Sequence, residues 1–535
     1  MTDPLSWFSP ELVLGWRMTK GLIPEHSGRL GEHTEEHVVK ALPEAMAHHT
    51  VIVAQSGSGK SFFLGRLIEE ILLKTRSRVL ILDMNSDFRK IALAKESNDW
   101  GVGFYDRESG QGFAAEEPSR EHFVALWDQI SKLVYTTHVE EGEPSKFDAP
   151  LLLDWLSFPI DLLVEDADEE KRDELRHCHS LVNFLASHAR ETQNKKWLES
   201  DRFLDLARDF CEKTKGIKAP EEIAQKLVDE FGAKGAGLSV FKLTPASRND
   251  DRGFLHRPAR QYPSMAGLFT KSHPDDQIMR AARDRTFVQP DALHFYFSRV
   301  FELVHAKLVD TCISRPQADG RDGRVRVVDL GSVKNSRHQK IAMSAFLEAE
   351  WECARNNWVL ALDRPKKKDE RVPTFIVVEE AHNALPDKEQ SAVEAKLKDQ
   401  FRRIAAEGRK FGLFLILVSQ RPDKLDRMVM SECENQAIMR VGSDIVLRTT
   451  CEVLGFDPSY TRMTAKVLEF ERGRALLAGP WVNDEPTLLY SAARRTEEGG
   501  RDLRPTHWGA LPLDLNRAIV LPPLPSETPI LTQVP

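Results

Sequence analysis

The stretch VIVAQSGSGKSFFLGRLIEEIL, residues 51–72, joins an apolar run to a glycine-rich turn and then to an amphipathic segment. This order predicts a buried strand, a phosphate-binding loop and a helix. The P-loop pattern asks for a small residue, four free positions and then Gly-Lys-Ser or Gly-Lys-Thr. Here Ala54 stands at the first position, and Gly59, Lys60 and Ser61 close the pattern. Because the strand and the helix are both predicted, we prefer this interpretation to a chance match in an ordinary loop.

The glycine-rich turn predicts a site for the phosphates of ATP. Its successive backbone N–H groups can point into one concavity at the N-terminus of a helix, where the helix dipole favours an anion. Gly57 and Gly59 allow the tight backbone path. In P-loop nucleotidases the lysine reaches the β- and γ-phosphates and the next hydroxyl ligates Mg²⁺. The predicted nucleotide-binding residues of the loop are Ser56, Gly57, Ser58, Gly59, Lys60, Ser61 and Phe62.

Four later apolar runs, at residues 78–88, 325–333, 374–382 and 412–422, predict further buried strands that each end in polar residues. Ligands of open α/β sheets bind at the carboxyl ends of the strands. These runs therefore place polar groups where the nucleotide is expected, and the fold class is α/β with a mainly parallel sheet. Asp83, at the end of the first run, is a candidate for the magnesium shell or for positioning water.

The run VVEEAHN supplies the predicted catalytic carboxylates, Glu379 and Glu380. Nucleotide hydrolases hold an acidic pair near Mg²⁺ at the end of such a strand. We expect Glu379 to contact the metal, partly through its water shell, and Glu380 to orient and polarise the attacking water. A helix N-terminal turn stabilised by its dipole is the alternative for an acidic pair, and the P-loop favours the catalytic role. Gln420 ends a strand and is predicted to bond the γ-phosphate or the lytic water.

The stretch FRRIAAEGRKFG offers a guanidinium for the charge that develops on a transferring phosphoryl group. Arg409 is favoured because it ends a predicted helix just before the strand that carries Gln420, and we expect it to act within its own chain. Arg402 and Arg403 are alternatives, with an ordinary helix surface as the other interpretation. Arg440 is the candidate for an arginine that acts from a neighbouring subunit.

The chain of 535 residues is too long for one simple core. Between residues 108 and 322 acidic and apolar residues recur at helical spacing and few strand-like runs occur, which predicts a mainly helical insertion. The predicted organisation is an N-terminal segment (1–48), the first part of the core (49–107), the helical insertion (108–322), the second part of the core (323–500) and a proline-rich C-terminal arm (501–535).

The formal net charge of −8 argues against a chain whose whole surface binds nucleic acid, although a ring of several copies can still have a basic channel. Six scattered cysteines without paired or metal-ligand spacing favour a reducing compartment. No apolar stretch approaches bilayer length, and the N-terminus lacks the layout of a signal peptide. These features predict a soluble, cytoplasmic protein without a membrane partner. The basic run at residues 364–373 is interpreted as a solvated loop, with a contact to DNA or to a partner as the alternative.

The motifs AQSGSGKS, ILDMNSDF, IVVEEAHN, EGRKFG and LVSQRP, in this order, resemble the HerA branch of the HerA/FtsK superfamily of ring-forming ATPases. The resemblance spans residues 50–448, and its last three motifs are more specific than the P-loop. It implies a RecA-like fold, a homohexamer, and movement of duplex DNA through a central channel with ATP and Mg²⁺ as cofactors. Carried over by motif, Lys60 and Ser61 bind the nucleotide, Glu380 is the catalytic glutamate and Gln420 is the γ-phosphate sensor.

The sequence departs from this family in its first 48 residues. Many members begin with a small β-barrel that docks a partner nuclease, whereas these residues are too few and too helix- and loop-like for a full barrel. We therefore expect a DNA translocase or helicase that acts with a separately encoded nuclease or another effector, in DNA end processing or in antiviral defence. A type IV secretion or conjugation ATPase is one alternative. An ATP-controlled scaffold ring that assembles an effector is another.

Overall fold

The computed structural model describes residues 10–18, 38–96, 104–105, 112–113, 120–137, 146–153, 167, 169–191, 196, 203–231, 281–286, 288–309, 323–362, 371–455 and 467–499. All of them belong to the first of two compact units, Met1–Gly499 and Gly500–Pro535. The predicted C-terminal arm and most of the basic run at 364–373 lie outside the described residues.

One mixed sheet forms the centre of the described structure. Its twelve strands are β1 (Leu12–Arg17), β2 (Val38–Ala41), β3 (Thr50–Val53), β4 (Arg78–Asp83), β7 (Lys132–Thr136), β8 (Asp148–Pro150), β9 (Val325–Asp329), β10 (Thr374–Val378), β11 (Leu413–Ser419), β12 (Asn435–Met439), β13 (Arg474–Ala478) and β14 (Thr487–Ser491). The short strands β5 (Phe104–Tyr105) and β6 (Gly112–Phe113) pair with each other.

The strand order of the sheet is β2-β1-β14-β13-β12-β3-β11-β10-β4-β9-β7-β8. Neighbouring strands from β12 to β8 are parallel, and the pairs from β2 to β12 are antiparallel. The strand before the P-loop, β3, lies between β12 and β11, and β11 separates it from β10, which precedes the two glutamates. This order confirms the predicted RecA-like α/β fold, and it brings the carboxyl ends of β3, β11, β10 and β4 to one edge.

Helices cover both faces of the parallel part. They are α1 (Lys60–Lys74), α2 (Arg120–Trp127), α3 (Glu169–Glu191), α4 (Phe203–Lys213), α5 (Pro220–Phe231), α6 (Pro290–His305), α7 (Ser336–Leu362), α8 (Ala381–Ala384), α9 (Ala392–Phe411), α10 (Arg427–Ser431) and α11 (Asp444–Val453). Short 3₁₀ turns occupy Pro43–Met46, Leu330–Ser332, Pro422–Lys424, Val467–Glu469 and Pro480–Val482.

Two apolar clusters form the core on either face of the sheet. The first joins the α7 and α9 helices to the helices of the predicted insertion, through side chains such as Leu347, Phe401 and Leu181. The second packs α1 against the other face, through Phe63 and Leu67. Strands β3, β10 and β11 are buried along their whole length. Their near-continuous apolar sequences are therefore those expected for parallel strands that are covered on both sides.

The described part of the interval 108–322 is mainly helical, but it also extends the central sheet. Strands β7 and β8 continue the parallel sheet beyond β9. Thr136 at the end of β7 donates a hydrogen bond of 3.0 Å to the Asp329 carboxylate at the end of β9. Two stretches within the interval predicted as a mainly helical insertion, residues 132–136 and 148–150, therefore form strands of the central sheet. These strands are short and lie at one side of the sheet, so their sequence pattern is weak.

The interpretation of the N-terminal segment as helix- and loop-like is wrong for its described residues. Strand β1 pairs antiparallel with β14, and β2 pairs with β1. Leu12, Leu14 and Trp16 of β1 are almost completely buried. The segment thus extends the main sheet at the side opposite to β8.

Within the described ranges, the helices are too short or too polar to cross a bilayer. Cytoplasmic location stays a prediction.

Candidate functional site

The P-loop leads from β3 into α1 at the carboxyl edge of the sheet. Its two inner glycines have left-handed backbones, with φ of +76° at Gly57 and +94° at Gly59. A Cβ on Gly59 would lie 3.1 Å from the Gly473 nitrogen, so this position also requires close backbone approach. The same Gly473 nitrogen donates a 2.8 Å hydrogen bond to the Ser58 carbonyl, which supports the loop from the turn before β13.

The structure brings three predicted catalytic and phosphate-binding residues together at this edge. Lys60 Nζ forms an ion pair with the Glu380 carboxylate, and both side chains are buried. Gln420 Nε2 donates to the same carboxylate oxygen, Oε1. A third donor, Asn85 Nδ2, lies 3.5 Å from this oxygen. The Glu380 carboxylate therefore contacts residues from the P-loop, from the turn after β4 and from the end of β11.

The environment of Glu380 keeps its carboxylate ionised at neutral pH. Burial alone would raise the pKa, but the hydrogen bond and the charge of Lys60, with the hydrogen bond of Gln420, lower the pKa below its usual value. The residue also has a left-handed backbone, with φ of +46° and ψ of +46°. Such a conformation costs about 1–3 kcal/mol in a non-glycine residue and is concentrated at functional sites. The turn after β10 is thus shaped to present this carboxylate.

Glu379 and Asp83 form a second, deeper pair of carboxyl groups. Both side chains are completely buried. Burial, with further contributions from the neighbouring carboxylates, raises the pKa of Asp83 to about 6 and that of Glu379 well above its ordinary value. Asp83 accepts backbone hydrogen bonds from the turn after β4, the shortest being 2.8 Å from the Phe88 nitrogen. In the part of the chain that the structure describes, the neighbouring Asp83 carboxyl is the one group that approaches the buried carboxyl oxygens of Glu379.

The oxygen atoms of this region fit Mg²⁺. A buried carboxylate without a donor is costly unless a cation or a proton compensates it. Mg²⁺ prefers oxygen ligands and keeps several of its waters, which matches a hydroxyl and a carboxylate beside a polyphosphate. Ser61 at the start of α1 donates a 2.7 Å hydrogen bond to Asp87 Oδ2, so its hydroxyl is held at this same edge. Ser61 and Glu379 are the residues that would hold the metal.

A cavity of about 480 Å³ opens in front of the Glu380 carboxylate. Its walls come from the turn after β10 and the turn after β11, and they carry more basic than acidic groups. The lining residues are Glu380, His382, Asn383, Pro386, Gln420, Arg421 and Lys424. The cavity offers room for water and for an anionic group beside both Glu380 and Gln420.

The structure does not bring Arg409 to this site. Helix α9 starts at the Ser391 N-cap and ends at Gly412, which has φ of +80°. Arg409 lies in its last turn, before β11 begins, and pairs with Glu434. A strand of seven residues rises about 3.3 Å per residue, so Arg409 and Gln420 lie roughly 20 Å apart at opposite edges of the sheet. The prediction that Arg409 acts within its own site is corrected for this reason.

The other predicted arginines have different positions. Arg402 bonds Asp426 at 2.8 Å, and Arg403 bonds Glu348 at 2.9 Å. Arg440 is exposed at the carboxyl end of β12, where its carbonyl accepts a 2.9 Å hydrogen bond from the Gln55 nitrogen. Among these arginines, only Arg440 follows the carboxyl end of a strand beside the P-loop, and its role stays a prediction.

Sequence reasoning missed Asn85, Asp87 and His382. All three follow strands at the carboxyl edge, in the runs ILDMNSDF and VVEEAHN. The signal that identified Asp83, a polar residue just past an apolar run, extends to them. Phe62, a predicted binding residue, lies in the first turn of α1, where Lys95 Nζ is 4.8 Å from the centre of its ring.

Comparison with known proteins adds evolutionary information. The DUF87 family model, described as the central domain of helicase HerA, matches residues 26–203. The DNA double-strand break repair helicase HerA of Pyrococcus furiosus is 33% identical over 145 residues, which cover 23% of this chain and 25% of that protein. The probable helicase MJ1565 of Methanocaldococcus jannaschii is 42% identical over 141 residues, 26% of each chain. The chain thus matches about a quarter of the length of these relatives.

Among solved structures, VirB4 of Thermoanaerobacter pseudethanolicus aligns with 90% of this chain and 96% of its own. The identity is 14% and the TM-score is 0.39.

Proposed function

We propose that this chain, which belongs to the HerA-type ATPases of the HerA/FtsK superfamily, hydrolyses ATP and uses the reaction to move duplex DNA. The observation that carries the proposal is the meeting of Lys60, Glu380 and Gln420 at one edge of the sheet, with a cavity in front of them. A phosphate-binding lysine, an ionised carboxylate and an amide donor are the groups needed to bind a nucleotide and to activate water against its γ-phosphate.

In the proposed reaction Lys60 exchanges its contact with Glu380 for the β- and γ-phosphates of ATP. Glu380, ionised because of its hydrogen bonds, then accepts a proton from a water molecule in the cavity. The water oxygen forms a bond to the γ-phosphorus as the bond from phosphorus to the β,γ-bridging oxygen breaks, and ADP leaves with that electron pair. Gln420 contacts the γ-phosphate and thereby distinguishes ATP from ADP.

When bound, Mg²⁺ would supply positive charge that neutralises the charge developing on the phosphate oxygens. Ser61 and Glu379 would hold it, and Asp87 orients the Ser61 hydroxyl. A cation held beside Glu379 would lower the pKa of its carboxyl, because a nearby positive charge favours the ionised form.

We further propose that the chain works as a homohexameric ring in the cytoplasm, with duplex DNA in the central channel and a separately encoded nuclease or other effector as partner. The similarity to a DNA double-strand break repair helicase of Pyrococcus furiosus supports a role on DNA. The net charge of −8 is compatible with an acidic outer surface around a basic channel. Arg440 is our candidate for an arginine that completes the site of a neighbouring subunit.

The test is the rate of ATP hydrolysis with and without linear duplex DNA, together with the mass of the assembly. We expect about six copies and a DNA-stimulated rate that Lys60→Ala abolishes. The matched control is Lys213→Ala, since Lys213 is an exposed residue of α4 in the helical region. A rate that linear DNA leaves unchanged would instead favour a scaffold ring. A monodisperse monomer with full activity would contradict the ring.

A further inference from the structure

His382 has a position in the site that the proposed reaction does not use. It is the second residue of α8, directly after the left-handed turn at Glu380, and it lines the cavity. Its side chain is mostly buried, with 13% of it exposed. A side chain placed in this way is available to act on Glu380 without filling the space needed by water.

The ring of His382 lies between two oxygen atoms that belong to different strand ends. Its Nδ1 atom is 3.2 Å from Ser419 Oγ and 3.5 Å from Glu380 Oε2. Ser419 is the last residue of β11 and is completely buried. Its Oγ already accepts a 3.1 Å hydrogen bond from the Arg421 nitrogen. The imidazole therefore bridges the turn that carries Glu380 and the strand end that carries Gln420.

These contacts favour one of the two tautomers of the neutral His382 ring. A lone pair on Nδ1 would face the carboxylate of Glu380, which is unfavourable, whereas an N–H there can donate to Ser419 Oγ and attract the Glu380 carboxylate 3.5 Å away. Burial lowers the pKa of His382, although Glu380 opposes this effect, while Arg421, Lys60 and Lys424 add to it. The ring is thus neutral at neutral pH, and the nearby Glu380 carboxylate favours the tautomer that carries the proton on Nδ1.

The two carboxylate oxygens of Glu380 consequently have different surroundings. Lys60, Gln420 and Asn85 donate to Oε1. Within the part of the chain that the structure describes, Oε2 faces His382 alone. An oxygen whose nearest polar contact is a ring N–H 3.5 Å away keeps more of its basicity than an oxygen with three donors.

We propose that His382 is a positioning residue: its Nδ1–H orients the Glu380 carboxylate, so that Oε2 receives the proton of the attacking water, and it ties this carboxylate to the strand end that carries Gln420. The inference rests on the proposed ATP hydrolysis. Because a misplacement of about 1 Å at a reacting group can lower a rate by about 10²-fold, the link is expected to affect the chemical step more than nucleotide binding.

The experiment compares His382→Asn, His382→Gln and His382→Ala. The asparagine amide nitrogen can take the place of Nδ1, whereas the glutamine amide reaches the place of Nε2 instead. We expect His382→Ala and His382→Gln to lower kcat by about 10–100-fold, with KM for ATP within about threefold of wild type. His382→Asn should recover kcat to within about fivefold. His294→Asn, at an exposed position of α6, is the control for a histidine substitution as such.

The outcomes separate this inference from the proposed function. If wild type does not hydrolyse ATP, or if Glu380→Gln hydrolyses it normally, the proposed function fails. If those two behave as expected but the asparagine and glutamine variants have equal kcat, only the role of His382 is refuted. If the His382 variants lost ATP affinity as strongly as kcat, the positioning role of His382 would also be refuted. Thermal unfolding midpoints within a few degrees of wild type would show that the asparagine and glutamine variants are folded, so their comparison decides the question.

Discussion

Replacing Glu380 by glutamine tests the centre of the site, because it removes the charge and the proton acceptor with little change of shape. The amide oxygen can still accept from Lys60, Gln420 and Asn85, which all donate to one carboxylate oxygen in the wild type. The fold and the P-loop should therefore persist. The amide nitrogen then faces His382, whose Nδ1 can accept in its other tautomer.

The expected change in kcat and in ATP affinity follows from two roles of the Glu380 carboxylate: it accepts the proton of the water, and it pairs with Lys60. A positioned general base contributes typically about 10²–10⁴-fold to a rate, which corresponds to about 3–5 kcal/mol in the activation barrier. We expect kcat of Glu380→Gln to fall by that factor. ATP affinity should equal or exceed that of wild type, because Lys60 no longer has a buried carboxylate as its competing partner. Lys60→Ala should instead weaken ATP binding by about 10–100-fold, since it removes a charged hydrogen-bond donor.

The assay is single-turnover hydrolysis of radiolabelled ATP, measured together with equilibrium binding of a fluorescent ATP analogue. Glu407→Gln is the matched control, because Glu407 is exposed on α9. Hydrolysis by Glu380→Gln within about threefold of the wild-type rate would refute the assignment of the base. Equal loss of binding in the Glu380 and Lys60 variants would refute the division of roles between them.

Three further outcomes concern positions outside the hydrolytic centre. Arg409→Ala should leave ATP turnover within about threefold of wild type, because Arg409 pairs with Glu434 at the opposite edge of the sheet. A decrease in turnover of more than about 10²-fold would mean that Arg409 acts on the site of another copy. Burial lowers the pKa of the His49 imidazole to about 4. Between pH 6.5 and pH 4, therefore, only the unfolded chain binds a proton at this imidazole. The free energy of unfolding should fall by roughly 3 kcal/mol as the pH decreases across that window. Urea unfolding at pH 7 and pH 4.5 should show a smaller pH effect in His49→Asn, and an unchanged effect would remove His49 as a cause. Gly65→Ala would place its Cβ 2.3 Å from Cδ of the buried Arg494. Calorimetry should therefore record a decrease of about 1–3 kcal/mol in the free energy of unfolding. An unchanged midpoint of thermal unfolding would contradict this packing.

The local sequence determined the site residues that end strands. Lys60, Glu380 and Gln420 each follow an apolar run, and the carboxyl ends of parallel strands meet at one edge of a sheet. Two short-range facts, the residue type and its place after a strand, were therefore sufficient to predict their proximity. The α/β class followed from the same runs, because strands covered on both faces have almost continuous apolar sequences, whereas the RecA-like assignment came from the family resemblance.

Tertiary structure alone decided which nearby residues join that site. Arg409 is close to β11 in the chain, but it precedes the strand, whereas Gln420 follows it; the length of the strand separates them. The bridge from His382 to Ser419 and Glu380 depends on the left-handed turn after β10 and on the lateral pairing of β10 with β11. Strands β1, β2, β7 and β8 likewise acquire their places by pairing with distant partners. Short strands at the sides of a sheet have little periodic signal of their own, since their stability comes from the neighbour with which they pair.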